Sequence, residues 1–291
     1  SLGLDVIVTD HHQVGADGLP PAVAVLNPHR PDCAYPYRFL SGVGLAFKLA
    51  VAVRNALHRQ AGWDKARLPN MRRYLDLVAL GTIADVAPLT GENHVLTRHG
   101  LDVLTTTDKP GLVALKSVAD VDNKVSARAI GFALGPRLNA AGRLGKADCG
   151  FHLLTSFDLK EAKELAQILD QTNRERKKIQ EQVQEEAEYL IGREVSLDED
   201  LIIVLASENF HSGVIGIVAS RLVEKYFRPV VLVALEGGAG KGSARSIPKF
   251  HLHRAFTECA GHLVRFGGHA YAAGLTIEEG KVDSFRNGLN E

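Results

Sequence analysis

The sequence predicts an α/β layered fold with a largely parallel sheet, in two lobes joined by a long helix. Three observations predict it. Short runs rich in β-branched residues, such as residues 4–9 and the PVVLVAL stretch at 229–235, read as buried strands. Helical patterns of ordinary domain length alternate with those strands, as βαβ units require. A charged, proline-free stretch from Asp158 to about residue 193 then separates one such alternation from the next. At 291 residues the chain is long enough for one large domain or two ordinary ones.

Taken in order, residues 4–9 predict a first buried strand and residues 23–26 a second, ended by Asn27-Pro28. Residues 43–61 carry a helical pattern behind Gly42 and Gly44, and residues 70–86 form an apolar helix that finishes near Asp85, before Pro88. From residue 158 the pattern changes. Asp158 and Glu161 make a capping-box-like start, and Leu165, Ile168, Leu169, Thr172, Ile179, Val183, Ala187 and Leu190 recur at helical spacing up to a glycine stop at Gly192. A helix of about 33 residues spans roughly 50 Å, a length that suits a connector better than a solvated surface helix. Beyond it come a strand at 201–206, a helix at 213–226, a strand at 229–235, a short strand around KGSARSI, a helix from about 253 to 264, and the segment GGHAYAAGLTI. The expected domains are therefore 1–155, a connecting helix over 156–195, and 196–291.

Composition narrows the class. Hydrophobic content of 45% and charged content of 23% describe a globular protein. No run reaches the roughly 18 apolar residues of a membrane span, and SLGLDV has neither the basic start nor the apolar core of a signal peptide. Cys33, Cys149 and Cys259 lie far apart with no CxxC pair, which argues against a disulfide framework and a thiolate zinc site. A cytoplasmic location with no membrane partner is the expectation. Net charge is zero, yet residues 158–200 hold 13 acidic against 7 basic groups, so a net +6 falls on the outer lobes.

Five stretches carry chemistry. The strand at 4–9 runs into Asp10-His11-His12. Ligands of open α/β sheets gather beyond the carboxyl ends of strands, and imidazole with carboxylate suits Mn²⁺ or Zn²⁺, carboxylate with water Mg²⁺; a polar loop with exposed histidines is the alternative. Asp85, at the end of an apolar helix, would be satisfied by a cation, or would simply face water. In GFALGPRLNAAGRLG, Arg137 and Arg143 flank small residues and Asn139, a pattern that suits phosphate oxygens, against the alternative of a tight turn with two surface arginines. His211-Ser212-Gly213 precede a helix whose amides form an anion site, with Ser212 equally suited to be its N-cap. Lys241, Ser243 and Arg245 of KGSARS, with Gly267, Gly268 and His269, can complete a phosphate-binding face.

Together TDHH, GVGLAFKL, LVALGTIADVAPL, GPRLNAAGRL, GVIGIVASRL, GSARS and GGHAYAAGL resemble the DHH phosphoesterase superfamily, and within it the bacterial RecJ family of single-strand DNA exonucleases. The resemblance runs in one order along nearly the whole chain. It implies a partial parallel-sheet DHH domain, a connecting helix, and a smaller α/β DHH-associated domain. It implies 5′ to 3′ cleavage of single-stranded DNA to mononucleotides at a two-metal Mg²⁺ or Mn²⁺ site, in DNA repair and recombination. A single-strand-binding protein or a helicase is the implied protein partner. Carried over by position, His11 and Asp85 are metal ligands, His12 touches the metal or scissile phosphate, and Asp10 orients the cluster. Arg143, Asn139 and Arg137 line the phosphate path, and His211, Ser243, Arg245 and His269 grip the nucleotide and its phosphates. Two departures are small: Phe210 stands where the family usually has Trp, and Ala244 where it usually has Gly. A third is larger. The family's Asp-x-Asp motif lies upstream of the DHH strand, where this sequence has nine residues and no Met start. A fragment without those carboxylates and without an OB-type domain, with little activity alone, is the resulting expectation. The competing readings are a DHH-family phosphodiesterase of oligonucleotides or cyclic dinucleotides, and a non-catalytic nucleic-acid-binding scaffold.

Overall fold

Strands β1 (Ile7–Thr9) and β2 (Ala24–Leu26) pair in parallel, with Val8 opposite Val25. This comes from a computed structural model, which describes residues 3–15, 18–121, 124–145 and 147–291. The chain divides into two units, Ser1–Gln171 and Thr172–Glu291. Among the described residues no helix is long and apolar enough to cross a membrane.

In the first unit, β1 departs from its expected burial: Leu4 is 72% exposed and Ile7 58%. A parallel strand is buried only when its edges are paired and both faces covered, and among the described residues β1 pairs with β2 alone. The rest of the unit is helical. Helix α1 (Gly42–Arg59) starts at Ser41, whose Oγ accepts from the Gly44 amide. That buried hydroxyl also lies 2.8 Å from Thr82 Oγ1, tying the start of α1 to the end of α2 (Leu75–Ala84). Because α2 is apolar on all sides, it must be enclosed: α1 packs on one side and α3 (Gly91–Thr105) on another. The close approaches need glycine. A Cβ on Gly100 of α3 would stand 2.2 Å from the Leu75 carbonyl oxygen, and one on Gly81 of α2 would stand 2.8 Å from Val43 of α1. Asp76, fully buried on α2, accepts from Lys109 Nζ at 2.6 and 2.7 Å, from Thr107, and from the Leu77 amide.

Helix α4 (Pro110–Val118) precedes a longer helical run. That run is α5 (Ala127–Ala129), a π turn over Ile130–Leu134, and α6 (Gly135–Arg143). In an unbroken α-helix the Pro136 ring would strike the carbonyl four residues back, at Phe132. The π turn, closed by the Gly135 amide on the Ile130 carbonyl, widens the ladder there and lets the helix continue through Gly-Pro. Helix α7 (Ala147–Thr155) follows, then α8 (Leu159–Glu194), of which residues up to 171 belong to the first unit. Leu104, Leu112, Leu115, Ile130, Leu134, Leu153 and Leu169 make the core. Each such buried side chain contributes about 1.5–3 kcal/mol.

The second unit is built on β3 (Ile203–Ser207), α9 (Ile215–Tyr226), β4 (Val230–Glu236) and β5 (Ala239–Arg245). It continues with α10 (Leu252–Glu258), β6 (Leu263–Gly268), β7 (Ala272–Glu278) and α11 (Val282–Asn290). The sheet runs in the order β3-β4-β5-β7-β6; β3 and β4 are parallel across α9, and the other pairs are antiparallel. The β4–β5 hairpin turns on Gly237 and Gly238, both at positive φ (58° and 80°), as a two-residue hairpin demands. One sheet face packs on α9 and on Val183, Ala187 and Leu190 of α8. The other packs on Phe256 of α10 and Phe285 of α11, whose rings meet edge to face at 5.5 Å. The helix expected to reach residue 264 ends at Glu258 instead. Leu263 and Phe266 are drawn into β6 by pairing with Ile277 and Leu275.

Candidate metal and phosphate site

The Asp10-His11-His12 loop continues β1, since the Asp10 amide donates to the Leu26 carbonyl at 3.0 Å. Asp10 then folds the loop over its own carboxylate. Its Oδ1 accepts from the His11 amide (2.8 Å), the His12 amide (3.2 Å) and the His12 ring (2.7 Å). Partial burial pushes the Asp10 pKa up, but the hydrogen bonds from the His12 ring and the two amides outweigh it. The group lies below its ordinary carboxylate value. Asn27, buried after β2, donates to the His12 carbonyl at 2.9 Å and accepts from the His29 amide at 2.8 Å. This pin was not among the expected site residues; the Asn27-Pro28 pair that ends the second strand was its only trace in the sequence.

Asp85 caps α2, and its amide donates to the Gly81 carbonyl at 2.9 Å. Val86 follows in the left-handed region, at φ 59°. The loop and the helix end converge: His11 Nδ1 lies 3.7 Å from Asp85 Oδ2. Gly42, the first residue of α1, lies beside the imidazole: a Cβ there would be in ordinary contact, 3.4 Å from His11 Cδ2. His12 stacks against His11, with ring centroids 4.5 Å apart, and leaves 77% of its side chain exposed.

A cavity of about 760 Å³ opens beside Asp85 and is also lined by Leu138, Asn139, Arg143 and Thr155. Asn139 and Arg143, four residues apart on α6, thus share a wall with the carboxylate. Desolvation lowers the Arg143 pKa from its ordinary value, and an arginine remains charged at neutral pH. Arg137 does not reach this cavity. Its guanidinium holds Asp170 at 2.9 Å and donates to the Ala133 and Val118 carbonyls, so it braces the helix from behind.

In the second unit, Arg245 Nη1 donates to Ser243 Oγ at 3.1 Å, and α9 crosses directly above them. A Cβ on Gly216 would stand 2.9 Å from both Arg245 Nη2 and Ser243 Oγ, so a larger residue there would push these two side chains aside. The Arg245 position pairs with Ala272, whose carbonyl accepts from the His269 amide at 2.9 Å, which brings the GGH turn to the same end of the sheet. Gly268 is required within it: at φ 140°, a Cβ would stand 2.4 Å from the Ala272 oxygen. His211 begins the turn into α9, and its ring Nδ1 accepts from the Gly213 amide at 3.0 Å. Helix α9 starts at Ile215, with no side-chain cap at Val214, so Ser212 is not its N-cap.

The donors suit a hard or borderline divalent cation. An imidazole and a carboxylate 3.7 Å apart can share one ion at about 2.1 Å from each. Among the described residues there is no group of three or more His, Cys, Asp or Glu placed to hold a metal; His11 and Asp85 stand as a pair.

The DHH family N-terminal domain matches residues 1–82 and the DHHA1 domain residues 199–291. The single-stranded-DNA-specific exonuclease RecJ of Escherichia coli K12 is 44% identical over all of this chain and 52% of its own length. That of Bacillus subtilis is 42% identical over all of this chain and 35% of its own length. The chain thus spans between about a third and about half of these curated relatives. The crystal structure of RecJ in complex with Mn²⁺ from Thermus thermophilus superposes with a TM-score of 0.85, at 35% identity, over 99% of this chain and 41% of that one. A second, of exonuclease RecJ bound to manganese, matches with a TM-score of 0.78 at 35% identity, over 99% of this chain and 69% of that one. With the DHH loop, the Asp85 helix end and the GGH sheet in one order and one fold, the chain belongs to the RecJ exonuclease family.

Proposed function

We propose that the chain acts in metal-dependent hydrolysis of phosphodiester bonds in single-stranded DNA, from the 5′ end with release of mononucleotides. The observation that carries this reading is the convergence of His11 and Asp85, 3.7 Å apart, beside a cavity walled by Asn139 and Arg143. In this reading His11 and Asp85 hold Mn²⁺ or Mg²⁺ in a two-metal site. Bound metal ions supply a Lewis acid and a water of lowered pKa. Asp10 fixes the His12 ring, which reaches toward the scissile phosphate, and Arg143 and Asn139 bind its oxygens. Arg137 positions their helix through Asp170. Ser243, Arg245, His211 and His269 take the nucleotide and its phosphates, with little base readout. Residues 1–155 are the DHH domain, 156–195 the connecting helix and 196–291 the DHH-associated domain. A cytoplasmic role in DNA repair and recombination, with a single-strand-binding protein or a helicase as partner, rests on family membership.

The test has two readouts. Free Mn²⁺ is followed by electron paramagnetic resonance during titration with the chain, and 5′-labelled single-stranded DNA is incubated with Mn²⁺ or EDTA. The wild-type chain is expected to deplete free Mn²⁺, whereas His11→Ala and Asp85→Ala do not. Any mononucleotide release follows the same dependence. Mn²⁺ binding that survives both substitutions, or release that survives EDTA, refutes the assignment.

A further inference from the structure

The helical run that carries Asn139 and Arg143 to the cavity begins at Ala127, and its exposed side chains include Arg128, Phe132, Asn139 and Arg143. Phe132 leaves 81% of its surface to solvent. The guanidinium carbon of Arg128 lies 5.9 Å from the centroid of its ring. Phe132 and Arg143 are 11 residues apart, close to three helical turns, so they leave the same side of the helix about 16 Å apart along its axis.

An exposed phenyl ring is ordinary on a protein surface. This one has three particulars. It shares a helix and a face with the two polar residues of the cavity. It carries a cation beside its ring. It stands on the π turn that Pro136 imposes, a distortion that recurs at functional sites. The end of α2 lies against that turn: a Cβ on Gly131 would stand 4.0 Å from Ile83 Cγ2, two residues before Asp85.

We infer that Phe132, with Arg128 beside it, is a stacking step for a base of the same single strand whose phosphate Asn139 and Arg143 bind. The inference rests on the proposed function and extends it to a residue outside the DHH, GPRLNAAGR and GGH motifs. A phenyl face accepts any base, and an adjacent guanidinium attracts the backbone, so the step is sequence-tolerant. The distance sets the length of strand required. About 16 Å is roughly five nucleotides at 3.4 Å per stacked nucleotide, and fewer when the strand is extended. A dinucleotide held at Arg143 cannot reach Phe132, and a 12-mer can.

The experiment measures binding of a fluorescein-labelled dT 12-mer by anisotropy in EDTA, with a 5′-phosphorylated dinucleotide as competitor. Phe132→Ala is expected to lower the ratio of 12-mer to dinucleotide affinity by about 5-fold to about 140-fold. Phe132→Tyr retains the ratio. Phe132→Leu, apolar but without a π face, loses it as the alanine variant does. Phe227→Ala, which removes another exposed ring (78%) from the second unit, leaves it unchanged. Abasic sites placed one at a time along the 12-mer weaken the wild type at one or two neighbouring positions, and Phe132→Ala is indifferent there. A Leu variant that binds as wild type, or the same abasic profile in wild type and variant, overturns the inference alone. A wild-type chain that fails to bind the 12-mer overturns the inference together with the reading beneath it.

Discussion

Val86→Gly should stabilise the first unit. Val86 closes α2 from the left-handed region, at φ 59°, with its amide 3.0 Å from the Ile83 carbonyl and the Ala87 amide 3.2 Å from that of Thr82. This is the position after a helix end where glycine is usual. An L-residue in that conformation costs about 1–2 kcal/mol, most of all when β-branched. The side chain is 86% exposed, so removing it sacrifices almost no buried surface. Against the relief stands the extra freedom of glycine in the unfolded chain, about 0.4–1 kcal/mol. The net is a gain of about 1 kcal/mol, or about 2–4 °C in the melting temperature of a unit of this size. Val86→Ala is the control, since alanine keeps the left-handed penalty and should change stability by less than about 0.5 kcal/mol. The chain's single tryptophan, Trp63, lies in the first unit, so urea unfolding followed by its fluorescence reports on that unit. Equal midpoints for the glycine and alanine variants, or a glycine midpoint below wild type, would refute the reasoning.

Two further predictions use the same assay. Lys109→Met leaves the fully buried Asp76 carboxylate without the ammonium group 2.6 Å away, and should destabilise by about 3 kcal/mol, with Asp76→Asn added to it restoring part of the loss; a Lys109→Met variant as stable as wild type would contradict the pairing. Glu92 lies 2.5 Å from both Lys48 and the Tyr35 hydroxyl; partial burial raises its pKa, but those two partners outweigh burial and hold it below the usual glutamate value. A carboxyl depressed in the folded state contributes stability above its unfolded pKa and loses it as pH falls through the folded one. Stability should therefore decline more steeply on acidification in the wild type than in Glu92→Gln, and parallel acid limbs would rule the pair out as a source of pH dependence.

What was legible in the sequence depended on how far each element is decided locally. The apolar run ending in Asp85 and the charged, periodic stretch ending near Gly192 are both helices: the first, expected over 70–86, spans Leu75–Ala84 behind a 3-10 turn, and the second spans Leu159–Glu194. Residues 4–9 look like a buried strand because β-branched residues read that way, yet burial belongs to whatever covers them, which periodicity does not describe. The 131–145 stretch hid its helix behind Gly135-Pro136, a pair that ordinarily ends one; the π turn that rescues it is a tertiary accommodation. The helix bears directly on the site. In a turn, Arg137 and Arg143 could face one ligand together, but six residues along a helix rotate them by about 240°. Arg143 reaches the cavity, and Arg137 turns back to Asp170. The separation follows from helix geometry once the helix is known, and the spacing of arginines cannot reveal it beforehand.

The nearness of His11 and Asp85 is set by residues other than the two themselves. His11 leaves a two-stranded edge with exposed faces, so its position depends on the Asp10 carboxylate gathering three N–H groups and on Asn27 holding the His12 carbonyl. Asp85 is placed differently, at the end of a helix enclosed by its neighbours and tied to α1 through Ser41 and Thr82. The two supports meet at α1: its first residue, Gly42, faces the His11 ring, and Val43 packs on Gly81 of α2. A methyl group added at Gly81 has to displace Val43, and with it the start of the helix against which His11 rests. Close-packed interiors transmit such shifts with little loss. An alteration at Gly81 is therefore an alteration of the 3.7 Å separation, although the residue has no group to offer a metal.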